Sequence, residues 1–360
     1  MSLTIVIPNR NRDLVTVKRT LASIAIQLHA DVKVVVIDYG SEVVYQKELE
    51  QYIAVLENVS LMCCPTQGQL WQKTRAINIV LQQCDTAYFM VADMDMLFHP
   101  EFVIKIQQYV HPDEVTYFKV GILTEEESTL EKEFGDYQVK FYTNEEATGM
   151  TLFPVTILKK IRGFDEFYHG WGSEDTDVHI RLRNLGIPVH FNEKETLLLH
   201  QWHPKFYRSK ESTAPYHYYL ERVNYEYLML SRKHKKVHAN VGKEWGVLPN
   251  ETAYKALNTP EITIDCTSTL NALTALCFQL SEGVWEGVVQ IVIQLHPDAT
   301  SLKTTIKKIA KKRTPLFISL EASNSMLLET IIKNHRNTPY NYVFDRNKEI
   351  ISCTMNLSSL

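Results

Sequence analysis

An α/β architecture in two parts is the fold class this sequence predicts, on three observations. Short apolar runs alternate with segments of helical periodicity over the first two-thirds of the chain. The apolar runs end in polar, ligand-competent residues, as strands of an open α/β sheet do at its binding edge. The same alternation resumes after a Pro/Asn/Gly/Thr-rich stretch near residue 250.

Residues 3–8 (LTIVIP) form the first expected strand, residues 14–28 the first helix and residues 32–38 the second strand, which ends in Asp38-Tyr39-Gly40-Ser41. Ligands bind at the carboxyl ends of such strands, so residues 8–12, with Pro8, Arg10 and Arg12, should face one crevice with Asp38. A carboxylate at Asp38 serves equally as a ligand contact or as a cap of the next turn. Residues 67–81 (QGQLWQKTRAINIVL) enter a helix with Ile77 and Leu81 inward and Lys73, Arg75 and Asn78 elsewhere, by default on a solvated face. Residues 87–92 make a wholly apolar strand running into Asp93-Met94-Asp95. Extended residues two apart point the same way, so both carboxylates are expected to serve one hard divalent cation bridged to phosphate oxygens.

Residues 163–186 (GFDEFYHGWGSEDTDVHIRLRNLG) are the most informative stretch. Ser173 is the expected N-cap, Glu174, Asp175 and Asp177 fill the first turn favoured by the helix dipole, and Gly186 stops the helix. Val178, Leu182 and Leu185 share one face and anchor it. An acidic first turn alone is capping; the Gly-Trp-Gly run ahead of it asks for a backbone bend or close ligand approach. Trp171 and Gly172 then stand beside the carboxylates as a surface for a sugar ring. Further on, His200 and His203 in LLLHQWHP are candidate metal ligands, each taken alone more often structural.

Composition bounds the function. The chain has 360 residues, 22% charged, and a net charge of −4, which excludes a nucleic-acid-scale basic field. Six cysteines without a CxxC pair point to reduced thiols in a cytoplasmic protein. No apolar stretch is long enough to span a membrane. Tyr207, Tyr216, Tyr218, Tyr219, Tyr225 and Tyr227 are expected mainly as core rather than a carbohydrate platform. The basic runs 232–236 and 307–313 are expected as solvated faces, with an anionic acceptor or peripheral membrane-surface contact the minority reading.

In order and spacing, IPNRNR, DYGS, KTRAIN, ADMD, GFDEFYHGWGSEDTD and HQWH resemble the GT-A fold of family 2 glycosyltransferases, with the GWGxEDxD signature of a galactosyltransferase-type C-terminal region, as in chondroitin-polymerase and β-1,4-galactosyltransferase catalytic domains. The resemblance spans about residues 1–235. It implies a Rossmann-like mixed sheet, a UDP-sugar donor and Mn²⁺ (or Mg²⁺) as cofactor. It implies that Asp38 binds the uridine, with Pro8, Arg10 and Arg12 in the same pocket, and that Arg75 and Asp93 contact the nucleotide-sugar. Asp95 and His200 would hold the metal, with Asp93 a further ligand and His203 the alternative. Asp175 matches the general base, while Glu174, Trp171 and Gly172 match the acceptor or sugar contacts.

The sequence departs from that pattern in three places. The second strand carries one aspartate where many relatives have two, Ser173 stands where galactosyltransferases have glycine, and no Gln-x-x-Arg-Trp motif follows the acidic helix. The last departure, with no membrane-spanning run, argues against a processive exporting synthase. The expected organisation is a catalytic domain over residues 1–243, a linker over 244–261 and a small α/β domain over 262–360 with a role in protein or acceptor contacts. The expected activity is metal-dependent, inverting, non-processive transfer to a carbohydrate or glycoconjugate hydroxyl in polysaccharide biosynthesis, in the cytoplasm or at the inner face of the membrane. The competing readings are a non-catalytic scaffold subunit of a glycan-assembly complex and a nucleotidyltransferase.

Overall fold

The computed structural model describes residues 1–204 and 213–358 of the chain, which divides into two compact units. The first comprises Met1–Cys64, Trp71–Pro204 and Glu221–Leu248. The second takes Pro249–Leu360 together with Pro65–Leu70 and Lys205–Leu220. Tyr207 of the tyrosine-rich stretch lies outside the described residues.

The first unit opens with β1 (Leu3–Asn9), α1 (Leu14–Ala25), β2 (Val32–Tyr39), α2 (Val43–Ile53) and β3 (Val59–Cys64). It continues through α3 (Lys73–Gln82), β4 (Tyr88–Val91), β5 (Met96–Phe98), α4 (Phe102–Lys105), β6 (Val115–Phe118), β7 (Val120–Leu123) and α5 (Glu125–Thr129). Then come β8 (Val139–Tyr142), β9 (Thr151–Pro154), α6 (Val155–Lys160), α7 (Glu174–Asn184), β10 (Val189–Asn192), β11 (Leu198–His200) and α8 (Leu220–Lys233). Seven strands form a mixed sheet in the order β10-β6-β9-β4-β1-β2-β3, parallel from β4 through β3 and with β9 antiparallel to both neighbours. The central strand β1 is buried along its whole length, and the runs of Val and Ile that fill it and β2 suit a sheet covered on both faces. A second sheet, β5-β11-β7-β8, is built on the segment that follows β4.

Two expectations about this unit change. Helix α1 ends at Ala25 rather than residue 28, and Asp13 caps its start by accepting from the Thr16 amide at 3.0 Å. Helix α3 has no solvated face: Thr74 through Leu81 are all buried, because the helix packs on the sheet and is covered from the other side by the chain around Phe164 and Trp245. Asn78 accordingly works inward, donating to the Phe164 carbonyl at 2.8 Å and to Glu166 Oε1 at 2.9 Å.

The second unit holds α9 (Glu251–Lys255), β12 (Ile262–Thr267), α10 (Leu270–Ser281), β13 (Val288–Gln294), α11 (Leu302–Ile309), α12 (Leu320–Asn334), β14 (Tyr340–Asp345) and β15 (Ile350–Asn356). Its sheet runs β12-β13-β15-β14, with only β12 and β13 parallel. The apolar run 315–318 makes only a single bridge, from Phe317 to Thr269, because Ser319 accepts from the Ala322 amide and starts α12 at Leu320. Residues read as linker include α9, whose N-cap Asn250 accepts from Thr252 and Ala253 amides. All six cysteines are free thiols, and burial pushes Cys64 up to about 12. Among the described residues no helix is long and apolar enough to cross a membrane.

Candidate active site

The ends of β1 and β2 meet as expected. Their parallel register sets Asn9 beside Asp38, and Asn11 donates its amide to Ser41 Oγ at 2.7 Å. Pro8 lies in the buried strand, while Arg10 and Arg12 follow it, partly exposed. Asp38 itself is fully buried and already saturated. Oδ2 accepts from Asn9 Nδ2 at 2.8 Å and Ser41 Oγ at 2.5 Å, and Oδ1 accepts from the Ser41 amide at 3.0 Å and Gln46 Nε2 at 2.8 Å. Four bonds use the acceptor capacity of a carboxylate, and Asp38 thereby caps the turn that follows β2. Arg75 is likewise buried, with its guanidinium bonded to the Val247 carbonyl at 3.1 and 3.3 Å.

The Asp-x-Asp pair does not behave as one extended unit. Strand β4 stops at Val91 and residues 94–95 form a turn, closed by the Met96 amide on the Asp93 carbonyl, before β5 begins. The turn sends the two carboxylates to different partners. Asp95 faces β11, whose antiparallel register pairs His200 with Met96, and the Gln201 amide donates to the Asp95 carbonyl at 2.8 Å. His200 Nε2 lies 3.5 Å from Asp95 Oδ1, and His203 Nε2 lies 3.3 Å from Asp95 Oδ2. The choice between His200 and His203 therefore dissolves, since one carboxylate gathers both.

These three residues offer ligand atoms all within 4.8 Å of one another. Asp95 is buried, and among the described residues its Oδ1 and the His200 Nδ1 have no hydrogen-bond partner. An orphaned buried carboxylate oxygen facing an imidazole is what a cation would satisfy, so the residues present fit a divalent metal. Burial by itself would raise the Asp95 pKa; the proximity of His200, a hydrogen bond from His203, and Arg12 at 3.1 Å hold the carboxyl well below the usual range instead.

Asp93 turns to Lys73, the first residue of α3. The Lys73 ammonium lies 2.9 Å from Asp93 Oδ1, 3.4 Å from Asp175 Oδ2 and 3.8 Å from Glu174 Oε1. Burial alone would lower its pKa, and the carboxylates, Asp175 foremost, raise it well above the ordinary value. Burial also pushes Asp175 up; Glu174 and Asp93 add to that, Lys73 opposes it, and the group stands at about 7. Lys73 was not among the expected site residues. Its sequence signal is a cation at a helix start, where the dipole disfavours one.

Glu174 and Asp175 open α7, but Ser173 does not cap it. Its φ of 77° lies in the left-handed region, directly after Gly172 at 98°, and its side chain makes no capping bond. That backbone explains the glycine of the galactosyltransferase pattern: a side chain at this position is strained, and serine accepts the strain. Gly186 at φ 84° ends the helix as expected, and Val178 and Leu182 are wholly buried. Asp177 leaves the acidic group. It pairs with Arg181 at 2.6 Å, both side chains fully buried, while Arg181 also donates to the Ile161 and Gly163 carbonyls. Trp171 is 60% exposed between Gly170 and Gly172, both at positive φ.

The aromatic stretch divides by residue. Tyr227 stacks on Phe167 at 3.7 Å and donates to Asp165 at 3.0 Å, as core, whereas Tyr218, Tyr219 and Tyr225 are exposed.

Residues 4–157 match the family model of glycosyl transferase family 2, and residues 129–201 match the model described as the N-terminal domain of galactosyltransferase. No curated protein matches the chain. Solved structures similar to it include S. aureus TarS 1–349 in complex with UDP-GlcNAc, at 16% identity and a TM-score of 0.45 over 65% of this chain and 69% of that one. A second TarS 1–349 structure shares 16% identity at a TM-score of 0.43, over 56% of this chain and 60% of that chain. GalNAc-T7 with UDP, GalNAc and Mn²⁺ shares 15% identity at a TM-score of 0.45, over 57% of this chain and 44% of that one. The two family models together span residues 4–201, so this part of the chain is similar to glycosyl transferase family 2 with a galactosyltransferase-type region at its end, each model covering less than half of the chain.

Proposed function

We propose that this protein is a metal-dependent, inverting, non-processive glycosyltransferase that moves a sugar from a UDP-sugar to a hydroxyl of a carbohydrate or glycoconjugate. One observation carries the reading. Through Lys73, the strand-terminal Asp93 and the α7 carboxylates Glu174 and Asp175 share one cation, which joins the nucleotide-side motif to the acceptor-side motif.

Asp95, His200 and His203 would hold the metal. Two imidazoles with one carboxylate suit a first-row transition-metal ion better than Mg²⁺, whose preference is for oxygen donors. Such a cation, when bound, offsets the negative charge that collects on the departing diphosphate. Asp175 takes the proton of the acceptor hydroxyl while that oxygen bonds to the anomeric carbon from the face opposite UDP and the bond to UDP breaks. A pKa near 7 suits a base that must both accept and release a proton at neutral pH. Lys73 orients that carboxylate and keeps part of it ionised. Glu174, at the same helix mouth, is assigned to the acceptor, and the exposed Trp171 offers a face for a sugar ring.

The scaffold reading requires a decayed site, and the retained Asp93, Asp95, Glu174 and Asp175 oppose it. The test is a panel of UDP-sugars incubated with Mn²⁺ or Mg²⁺, scored for UDP, beside UTP scored for pyrophosphate. Metal-dependent UDP release without pyrophosphate is expected. No UDP from any donor would leave the scaffold, and pyrophosphate from UTP would indicate nucleotidyl transfer.

A further inference from the structure

Helix α11 in the second unit is built inside out. Leu302, Ile306 and Ile309, spaced i, i+4, i+7, fall on one face, and they are 81%, 64% and 77% exposed, while Thr304 on the other side is only 5% exposed. An amphipathic helix of a globular unit normally turns its apolar stripe to the core. Here Thr304 packs inward and the apolar stripe faces outward. The segment that follows is basic, with Lys311, Lys312 and Arg313 exposed, and no acidic residue occurs from 299 to 320 although the chain as a whole carries a net charge of −4. Leu316, just beyond, is 63% exposed.

We propose that α11 and the basic segment after it are a docking surface for an anionic lipid bilayer. An outward apolar stripe bordered by lysine and arginine is the arrangement that sinks aliphatic side chains among acyl chains while the cations meet the headgroups. The local charge selects the occupant. A protein surface that covered only the stripe would have no need of the flanking cations, and nucleic acid would have no use for Leu302, Ile306 and Ile309. The inference is independent of glycosyl transfer, since it uses only the second unit.

The experiment is co-sedimentation of the full chain with phosphatidylcholine vesicles, with and without 30 mol% phosphatidylglycerol, at low and high salt. Each basic residue near an anionic surface is worth about 1 kcal/mol, or about fivefold, so binding to the anionic vesicles should exceed the neutral ones by about tenfold or more and fall in ~1 M salt. The variant L302S/I306S/I309S removes the stripe, and K311E/K312E/R313E reverses the charge. Both substitute exposed residues, and circular dichroism verifies that they fold. Each should lose about tenfold or more in anionic-vesicle binding. Equal binding to both vesicle types, no binding at all, or wild-type binding by either variant overturns the proposal. So does concentration-dependent dimerisation that the stripe variant abolishes, which would make a second copy the occupant, or tight RNA binding lost only in the charge variant.

Discussion

Asp93 and Asp95 are two residues apart and belong to different chemistry. Asp95 is buried, one of its oxygens has no hydrogen-bond partner among the described residues, and it faces two histidines. Asp93 is partly exposed and paired with Lys73, which also faces Glu174 and Asp175. The first centre gathers one carboxylate and two imidazoles whose donor atoms could hold one metal ion; the second is organised around the ammonium of Lys73. A turn at residues 94–95 separates them, so on the proposed reading the Asp-x-Asp pattern is a junction between a metal centre and a base centre.

The base side should show the largest effect. Asp175→Asn is expected to reduce kcat by about 10²–10⁴-fold with nucleotide-sugar binding nearly unchanged, measured by steady-state kinetics and donor titration. A fully active variant would remove the base from the account. The reaction product should also show an inverted anomeric centre in its NMR coupling constants.

Asp177, in the same acidic turn, should separate from Asp175 by stability rather than rate. Asp177→Ala leaves the Arg181 guanidinium buried without its carboxylate and should cost about 3–5 kcal/mol in denaturant unfolding, whereas Asp175→Asn should leave the fold intact.

On the metal side, His200→Ala and His203→Ala should each raise the Mn²⁺ concentration for half-maximal activity by about tenfold or more, since both face Asp95. An effect confined to one of them would reduce the centre to two residues. The smallest effect is a displaced pH profile. Activity needs ionised Asp175, so kcat should rise with pH through about 7. Lys73 lowers that pKa, so Lys73→Met should move the acid limb upward by about one unit or more. Lys73→Arg should restore it; a limb that stays in place would leave Lys73 a structural role.

Where residues carry their message locally, the sequence was legible. The first two strands, the acidic helix with its Gly186 stop and the alternation in the second unit follow from periodicity and capping chemistry. The cluster of Asp95, His200 and His203 was partly legible, as Asp95 with one of two histidines and Asp93 as a further candidate; its assembly depends on the pairing of β5 with β11, strands about one hundred residues apart in the chain. Three misreadings have a common cause, since Lys73, Arg75 and Asn78 look like a solvated face on a helix that tertiary packing covers on all sides. Asp38 and Ser173 were ambiguous for a different reason. Whether a side chain caps or binds, and whether a backbone turns left-handed, is decided by neighbours distant in sequence, here Asn9 and Gln46 for Asp38.

The division of labour between the two aspartates is tested most directly by calorimetric titration of UDP into the wild type, Asp95→Ala and Asp93→Ala, each with and without Mn²⁺. The wild type should bind UDP more tightly with Mn²⁺, Asp95→Ala should lose that dependence while remaining folded, and Asp93→Ala should keep it. Metal-dependent binding that survives in Asp95→Ala, or disappears in Asp93→Ala alone, would contradict the assignment of the metal to Asp95, His200 and His203.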